Sequence, residues 1–145
     1  MTTGKLLKIG EVARRLKVAV STIRKYEAAG VVLPIRTSGR HRLFSEDDAE
    51  WLNCIRDMIS KKGMTLEAIN RMIALVPCWE LRQCPVEERA DCAAYTNDAV
   101  PCWLLDTIVH KTSTANCRTC VQYKTVTHCR NMKVMLTQLF ESKGY

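Results

Sequence analysis

No apolar run in these 145 residues approaches the length needed to cross a bilayer, and Met1–Lys8 lacks the hydrophobic core of a secretion signal. Such a chain is expected to be soluble and cytoplasmic. Catalytic patterns are missing as well: there is no Ser/His/Asp series, no glycine-rich phosphate loop and no pair of carboxylates in an apolar setting. Only three histidines occur, and His110 and His128 alone lie beyond residue 44. His128 adjoins Cys129 and is a conceivable ligand, with a surface role preferred. An enzyme is therefore not expected. Disorder is excluded by the opposite measure, since 47% of the residues are hydrophobic and can build a core. The length suits one ordinary domain or two small ones.

Charge and cysteine are both present, and both are lopsided. Residues 1–44 carry ten Lys/Arg against Glu11 and Glu27, a net +8, so the remaining 101 residues sum to −1 within the total of +7. A basic stretch is often only a solvated surface, but here it coincides with a motif, and it then marks a phosphate-binding face. Of eight cysteines only Cys54 falls in the first half. Cys54 reads as a small core side chain. The other seven, in a chain with no secretion signal, point to metal or redox chemistry instead of a disulfide framework. Two domains follow, 1–76 and 77–145.

Ile9, Val12, Ala13 and Leu16 fall at i, i+3, i+4 and i+7, one apolar face of a short helix. A second helix is predicted over Thr22–Ala29, with Ile23 and Tyr26 inward and Gly30 as a left-handed cap. Two short helices separated by a few residues describe a helix-turn-helix. Leu33-Pro34-Ile35-Arg36 and Arg40-His41-Arg42-Leu43-Phe44 flank the turn signal Thr37-Ser38-Gly39, which predicts a small hairpin, or wing, with a basic tip.

These residues carry a resemblance. Ile9-Gly10-Glu11-Val12-Ala13, Thr22 through Glu27, Gly30, Leu33-Pro34 and Arg42-Leu43-Phe44-Ser45 resemble the MerR family of winged-helix transcription regulators. The likeness continues through Glu46-Asp47-Asp48 and Lys62 to Ile69, covering about the first half of the chain. It implies that the helix from Ser21 to Glu27 enters the DNA major groove, with Ser21, Thr22, Arg24 and Lys25 nearest the bases. Arginine can fork onto guanine O6 and N7, which makes Arg24 the best reader. Tyr26, Arg36, Arg40, His41 and Arg42 would hold phosphates, with Arg14 and Lys17 joining the DNA-binding set. The family usually has a tyrosine where Lys25 stands, and aromatic and glycine residues at the wing tip. Lys25 and Arg40-His41 shift that balance towards charge, so no preferred operator transfers.

Further along, Ser45-x-x-Asp48 is a capping-box pattern opening a long helix with Leu52, Ile55 and Ile59 inward and Trp51 and Met58 beside them. Lys61-Lys62-Gly63 ends it. Thr65 caps a fourth helix with Leu66, Ile69, Ile73 and Val76 on one face, and Pro77 stops it. Members of the family usually continue there into a long antiparallel dimer helix, and no heptad run follows here.

Beyond Pro77 the chain repeats itself. Val76-Pro77-Cys78-Trp79-Glu80-Leu81 recurs as Val100-Pro101-Cys102-Trp103-Leu104-Leu105. Cys92-x-x-Tyr95 follows the first copy and Cys120-x-x-Tyr123 the second, with Cys84 and Cys117 between. The pattern is more loosely similar to cysteine- and tryptophan-bearing modules of anaerobic prokaryotes. Thr127–Ser142 places Met132, Met135, Leu136, Leu139 and Phe140 on one face of a terminal helix, read as a cover for this module in preference to a dimer helix.

Cys78, Cys84, Cys92, Cys102, Cys117, Cys120 and Cys129 are the candidate metal ligands. An iron–sulfur cluster needs four thiolates, commonly including a Cys-x-x-Cys pair such as Cys117/Cys120, within a shell that excludes water. Cys84-Pro85 resembles the cysteine–proline step of such sites, and Trp79, Trp103, Tyr95 and Tyr123 can form the shell. Pro77 and Pro101 at first helical positions would leave Cys78 and Cys102 among free amides that favour thiolate. A four-thiolate zinc site normally uses two close pairs, and only one exists. Metal-free thiol switching needs two neighbouring cysteines that the cytosol mostly keeps reduced. A redox-sensing cluster of 4Fe-4S type is preferred, zinc comes second and free thiols third.

The expected fold is mainly α, a winged helix-turn-helix with a small β-hairpin plus a small cysteine-rich domain of short helices with a terminal helix. The expected function is transcription regulation of MerR type, controlled through the cysteine module. By resemblance the partners are double-stranded promoter DNA, a second copy of the chain in a homodimer, and RNA polymerase at the promoter. The alternatives are a zinc-stabilised or thiol-switch regulator, or an excisionase-like architectural protein.

Overall fold

The computed structural model describes residues 4–39, 41–105, 114–128, 133–134, 137–138 and 140–141. They divide into two compact units, Met1–Ile69 and Asn70–Tyr145. The division falls seven residues before the 76/77 boundary expected from composition, inside a helix instead of at Pro77.

The first unit opens with strand β1 (Leu7–Lys8) and helices α1 (Ile9–Leu16) and α2 (Val20–Ala29). Val12, Ala13 and Leu16 of α1 and Ile23 and Tyr26 of α2 are buried, as the spacing predicts. Helix α2 begins two residues earlier than expected, because the three-residue turn 17–19 needs no more chain. The turn is made by Lys17, a left-handed residue at φ 57° whose amide bonds back to the Ala13 and Arg14 carbonyls. Gly30 closes α2 in the left-handed conformation at φ 81°.

Strands β2 (Ile35–Arg36) and β3 (Arg42–Phe44) form the wing. Sheet order is β1-β3-β2, all antiparallel, with Leu7 opposite Phe44 and Arg36 opposite Arg42. Two residues of strand running straight into a helix leave no period-2 signal, so β1 was not expected.

Helix α3 (Glu46–Ser60) starts with the anticipated capping box. The Ser45 hydroxyl accepts from the Asp48 amide at 3.1 Å and the Ser45 amide donates to the Asp48 carboxylate at 2.8 Å. Trp51, Leu52, Ile55 and Met58 are the inward residues; Ile59 is only half-buried, so Trp51 and Met58 carry the stripe. The Trp51 indole donates to the Val31 carbonyl at 2.7 Å, anchoring the segment after α2. Arg56 donates to the carbonyl of Leu16, the last residue of α1, where a cation offsets the helix dipole. Cys54 is half-buried and disulfide-bonded, and so is not simply the small core side chain expected. Helix α4 (Leu66–Ala74) is capped by the Thr65 hydroxyl, which accepts from the Ala68 amide at 3.0 Å. Ile69, Ile73 and Val76 are buried and Leu66 is partly exposed.

The second unit is a set of short elements: α5 (Cys78–Arg82), α6 (Val86–Arg89), α7 (Ala93–Thr96), a 3-10 turn (Cys102–Leu104), α8 (Thr114–Thr119) and α9 (Val121–Val126). Trp103, Cys117, Tyr123 and Val126 are its buried anchors. Of the terminal helix expected over 127–142, the described residues 133–134, 137–138 and 140–141 are helical, and Val134 and Phe140 are exposed. Met132, Met135, Leu136 and Leu139 lie outside the described residues. Among the described residues no helix is long and apolar enough to cross a membrane.

Candidate functional site

The first unit offers a basic face built on α2 and the turn before it. Helix α2 buries Ile23 and Tyr26 against the core, which turns Ser21, Arg24 and Lys25 outward, with Thr22 at the margin. Arg14 and Lys17 are exposed at the end of α1. Tyr26, anticipated at a phosphate, is 5% exposed, and burial pushes its hydroxyl pKa up. The ring is a core element instead of a surface contact, because its position repeats Ile23 at i+3.

The wing arginines are engaged within the protein. Arg36 donates to Glu27 Oε1 at 2.9 Å, and Arg42 Nε lies 2.6 Å from Glu27 Oε2. The second contact is close as a pair of charges but poorly aimed as a hydrogen bond. One carboxylate at the end of α2, its side chain 10% exposed, thus ties both strands of the wing to the helix. The resemblance points both arginines at phosphate and gives Glu27 no role of its own; its signal is its position among cations, as one of only two acids in residues 1–44. His41 is exposed, with its ring against Gly39, where an added Cβ would approach to 3.0 Å. Arg40 lies outside the described residues. Arg15 is also engaged: it forms a two-pronged pair with Glu46, one arm at 3.1 Å, and holds that carboxyl below the usual carboxylate range.

In the second unit the sequence repeat is a structural one. Pro77 and Pro101 are the residues immediately before α5 and the 3-10 turn, one place earlier than expected, so that Cys78 and Cys102 are the first residues of those elements. Cys92 and Cys120 likewise immediately precede α7 and α9. Each copy then packs its tyrosine edge-on to its tryptophan. Trp79 and Tyr95 have ring centroids 4.7 Å apart at 60°, and Trp103 and Tyr123 4.9 Å apart at 74°.

The thiols gather around these pairs. Cys78 stands in electrostatic range of Cys92, Cys84 and Cys120, and Cys102 in range of Cys78, Cys120 and Cys117. Burial first, and these neighbours second, push Cys78 up to about 11 and Cys102 up to about 12. The expected thiolate-favouring opening turn is therefore outweighed by desolvation. Cys78, Cys84 and Cys92 line one open cleft together with Trp79, Arg89 and Tyr95. Gln83, left-handed at φ 55°, folds Cys84 back so that its amide reaches the Trp79 carbonyl at 3.0 Å, and Arg89 clamps the Cys84 carbonyl at 3.1 and 3.2 Å. Arg82 donates to Cys120 Sγ at 2.8 Å. Among the described residues, no group of three or more His, Cys, Asp or Glu is drawn close enough to hold a metal ion. The donor chemistry, all thiol, is of the kind that suits a soft metal. His128 is half-exposed, and Cys129 and His110 lie outside the described residues.

A two-helix reader, a three-stranded sheet ending in a wing and a basic outer face define a winged helix-turn-helix DNA-binding domain. Residues 7–75 match the MerR HTH family regulatory protein model. The chain is 39% identical over 54 residues to the putative heat shock protein HspR of Streptomyces coelicolor, covering 37% of this chain and 36% of that protein. It is 37% identical over 68 residues to the HTH-type transcriptional regulator YfmP of Bacillus subtilis, covering 46% of this chain and 49% of that one. The chain thus spans half or less of the length of these relatives. No solved structure matches.

Proposed function

We propose that this protein is a MerR-type transcription regulator whose grip on promoter DNA, or distortion of it, is set by a cysteine-ligated cofactor, a redox-sensing iron–sulfur cluster. The observation that carries the reading is the pairing of an outward-facing cationic reader, Arg14, Lys17, Arg24 and Lys25, with six thiols gathered around two Trp–Tyr pairs in the same chain. Arg24 and Lys25 meet base edges while the flanking cations fix register on phosphate. The chain acts as a homodimer on a two-fold site, since one winged helix makes too few contacts for a promoter-scale sequence, and it works beside RNA polymerase. When bound, the cluster supplies a redox- and loading-dependent charge and packing change. The thiols hold it and the aromatic pairs shield it from water. Such a signal reaches DNA only if the two states of the thiol unit differ in their free energy of DNA binding or bending.

The test is anaerobic purification of the full chain, selection of a preferred duplex from a random pool, and affinity measurement before and after the metal is stripped. Affinity or bending for the selected duplex should change on stripping. Arg24→Ala should weaken that duplex by about 1–3 kcal/mol and leave random DNA nearly unaffected. Equal loss on both takes Arg24 out of base reading. No affinity for any duplex, in any thiol state, removes the regulator assignment itself.

A further inference from the structure

Strand register sets two cations directly opposite each other in the wing, Arg36 on β2 against Arg42 on β3. Like charges at such a position repel, and two guanidinium groups together make a site for an anion. Glu27 of α2 occupies that site. Its Oε1 accepts from Arg36 at 2.9 Å and its Oε2 lies 2.6 Å from Arg42 Nε, so each carboxylate oxygen faces one arginine. Carboxylate and phosphate offer a guanidinium the same kind of acceptor pair. We propose that Glu27 stands in for a DNA phosphate. It holds Arg36 and Arg42 off the duplex and so limits the part of the reader's affinity that is independent of sequence.

This rests on the DNA binding proposed above and deepens it by naming a positioning residue, one that acts through the two arginines. Burial decides which anion they keep. The Glu27 side chain is 10% exposed, whereas that of Arg36 is 58% exposed and lies within reach of solvent. Were both arginines to turn to phosphate, the carboxylate would stay buried without a counter-charge, which is strongly unfavourable. A phosphate on the duplex is solvated and screened by salt, so it offers less than the carboxylate would lose. Phosphate contacts fix register and carry no sequence information. Withholding two of them leaves the base-facing Arg24 and Lys25 a larger share of the binding.

Glu11, the other acid of residues 1–44, is placed differently. Its pair with Lys5 spans 3.8 Å, and the Lys5 side chain is 74% exposed. Such a pair is loose and screened, and it withholds little from DNA. Glu11 therefore serves as the control for a change in net charge alone.

The experiment measures the affinity of the full chain for a random-sequence duplex between about 50 and about 200 mM salt. Glu27→Gln keeps the side-chain shape and lets both arginines turn to phosphate. It should steepen the slope of log affinity against log salt by about 2 per reader, which is about 10-fold more affinity lost than in wild type across that range. Adding Arg36→Gln to that variant should give back about half of the steepening. Glu11→Gln should leave the slope unmoved. An unchanged slope in Glu27→Gln, with the circular dichroism of wild type, overturns the proposal. So does equal steepening in Glu11→Gln, which net charge alone would produce. Should Glu27→Gln fail to fold, Arg36→Gln by itself carries the test. Its slope should match wild type, and a slope shallower by about 1 means that Arg36 meets phosphate with Glu27 in place, which also overturns the proposal. A wild type with no affinity for any duplex refutes the proposed DNA binding, a different result from one that binds and ignores the loss of Glu27.

Discussion

Lys17 is the residue where folding and DNA contact pull against each other. Its φ of 57° is a conformation that costs a side-chain-bearing residue about 1–2 kcal/mol, and glycine would adopt it freely at an entropic cost of about 0.5–1 kcal/mol. Lys17→Gly should therefore leave the first unit as stable or more stable by up to about 1 kcal/mol, read from the urea midpoint. The same change removes one exposed cation, and the slope of log affinity against log salt on random duplex should fall by about 1. A gain in stability with an unchanged slope would place Lys17 away from the phosphates. Gly30, the equivalent stop on α2, was evident from the sequence because glycine announces a left-handed cap. Lys17 carries no such label, and only its φ reveals the role.

At the scale of elements, the wing depends on Glu27. Hairpin and helix were both evident from turn residues and spacing, but the tie between them joins residues nine and fifteen apart, which periodicity does not report. Glu27→Gln keeps the shape and removes the charge that both arginines face. It should lower stability by about 1–3 kcal/mol, seen as a reduced urea midpoint with an unchanged m-value. An unmoved midpoint would mean that the wing is held by its strand ladder alone. The aromatic pairs of the second unit follow the opposite logic. The order Cys-Trp then Cys-x-x-Tyr was visible as a repeat, while the packing of each tyrosine on its own copy's tryptophan needed the folded chain.

For the molecule as a whole, charge divides labour between the two units. In the proposed reading Arg36 and Arg42 are held by Glu27 and Arg15 by Glu46, so that Arg14 and Lys17 meet phosphate beside Arg24 and Lys25 at the bases. Two phosphate contacts per reader predict a log–log salt slope of about −2 per reader on random duplex. A slope nearer about −5 would show that the engaged arginines let go of their carboxylates to meet DNA.

Spacing and charge in residues 1–44 were enough to determine a basic helix-turn-helix with a wing, because helix periods, caps and turns are local and each leaves its mark within a few residues. The cysteine order likewise established a repeat without any structure. Tertiary structure alone decided which cations face outward and that α5 of the first copy packs against α9 of the second. Those outcomes depend on side chains far apart in sequence competing for the same charge or the same buried space, and no local pattern records who wins.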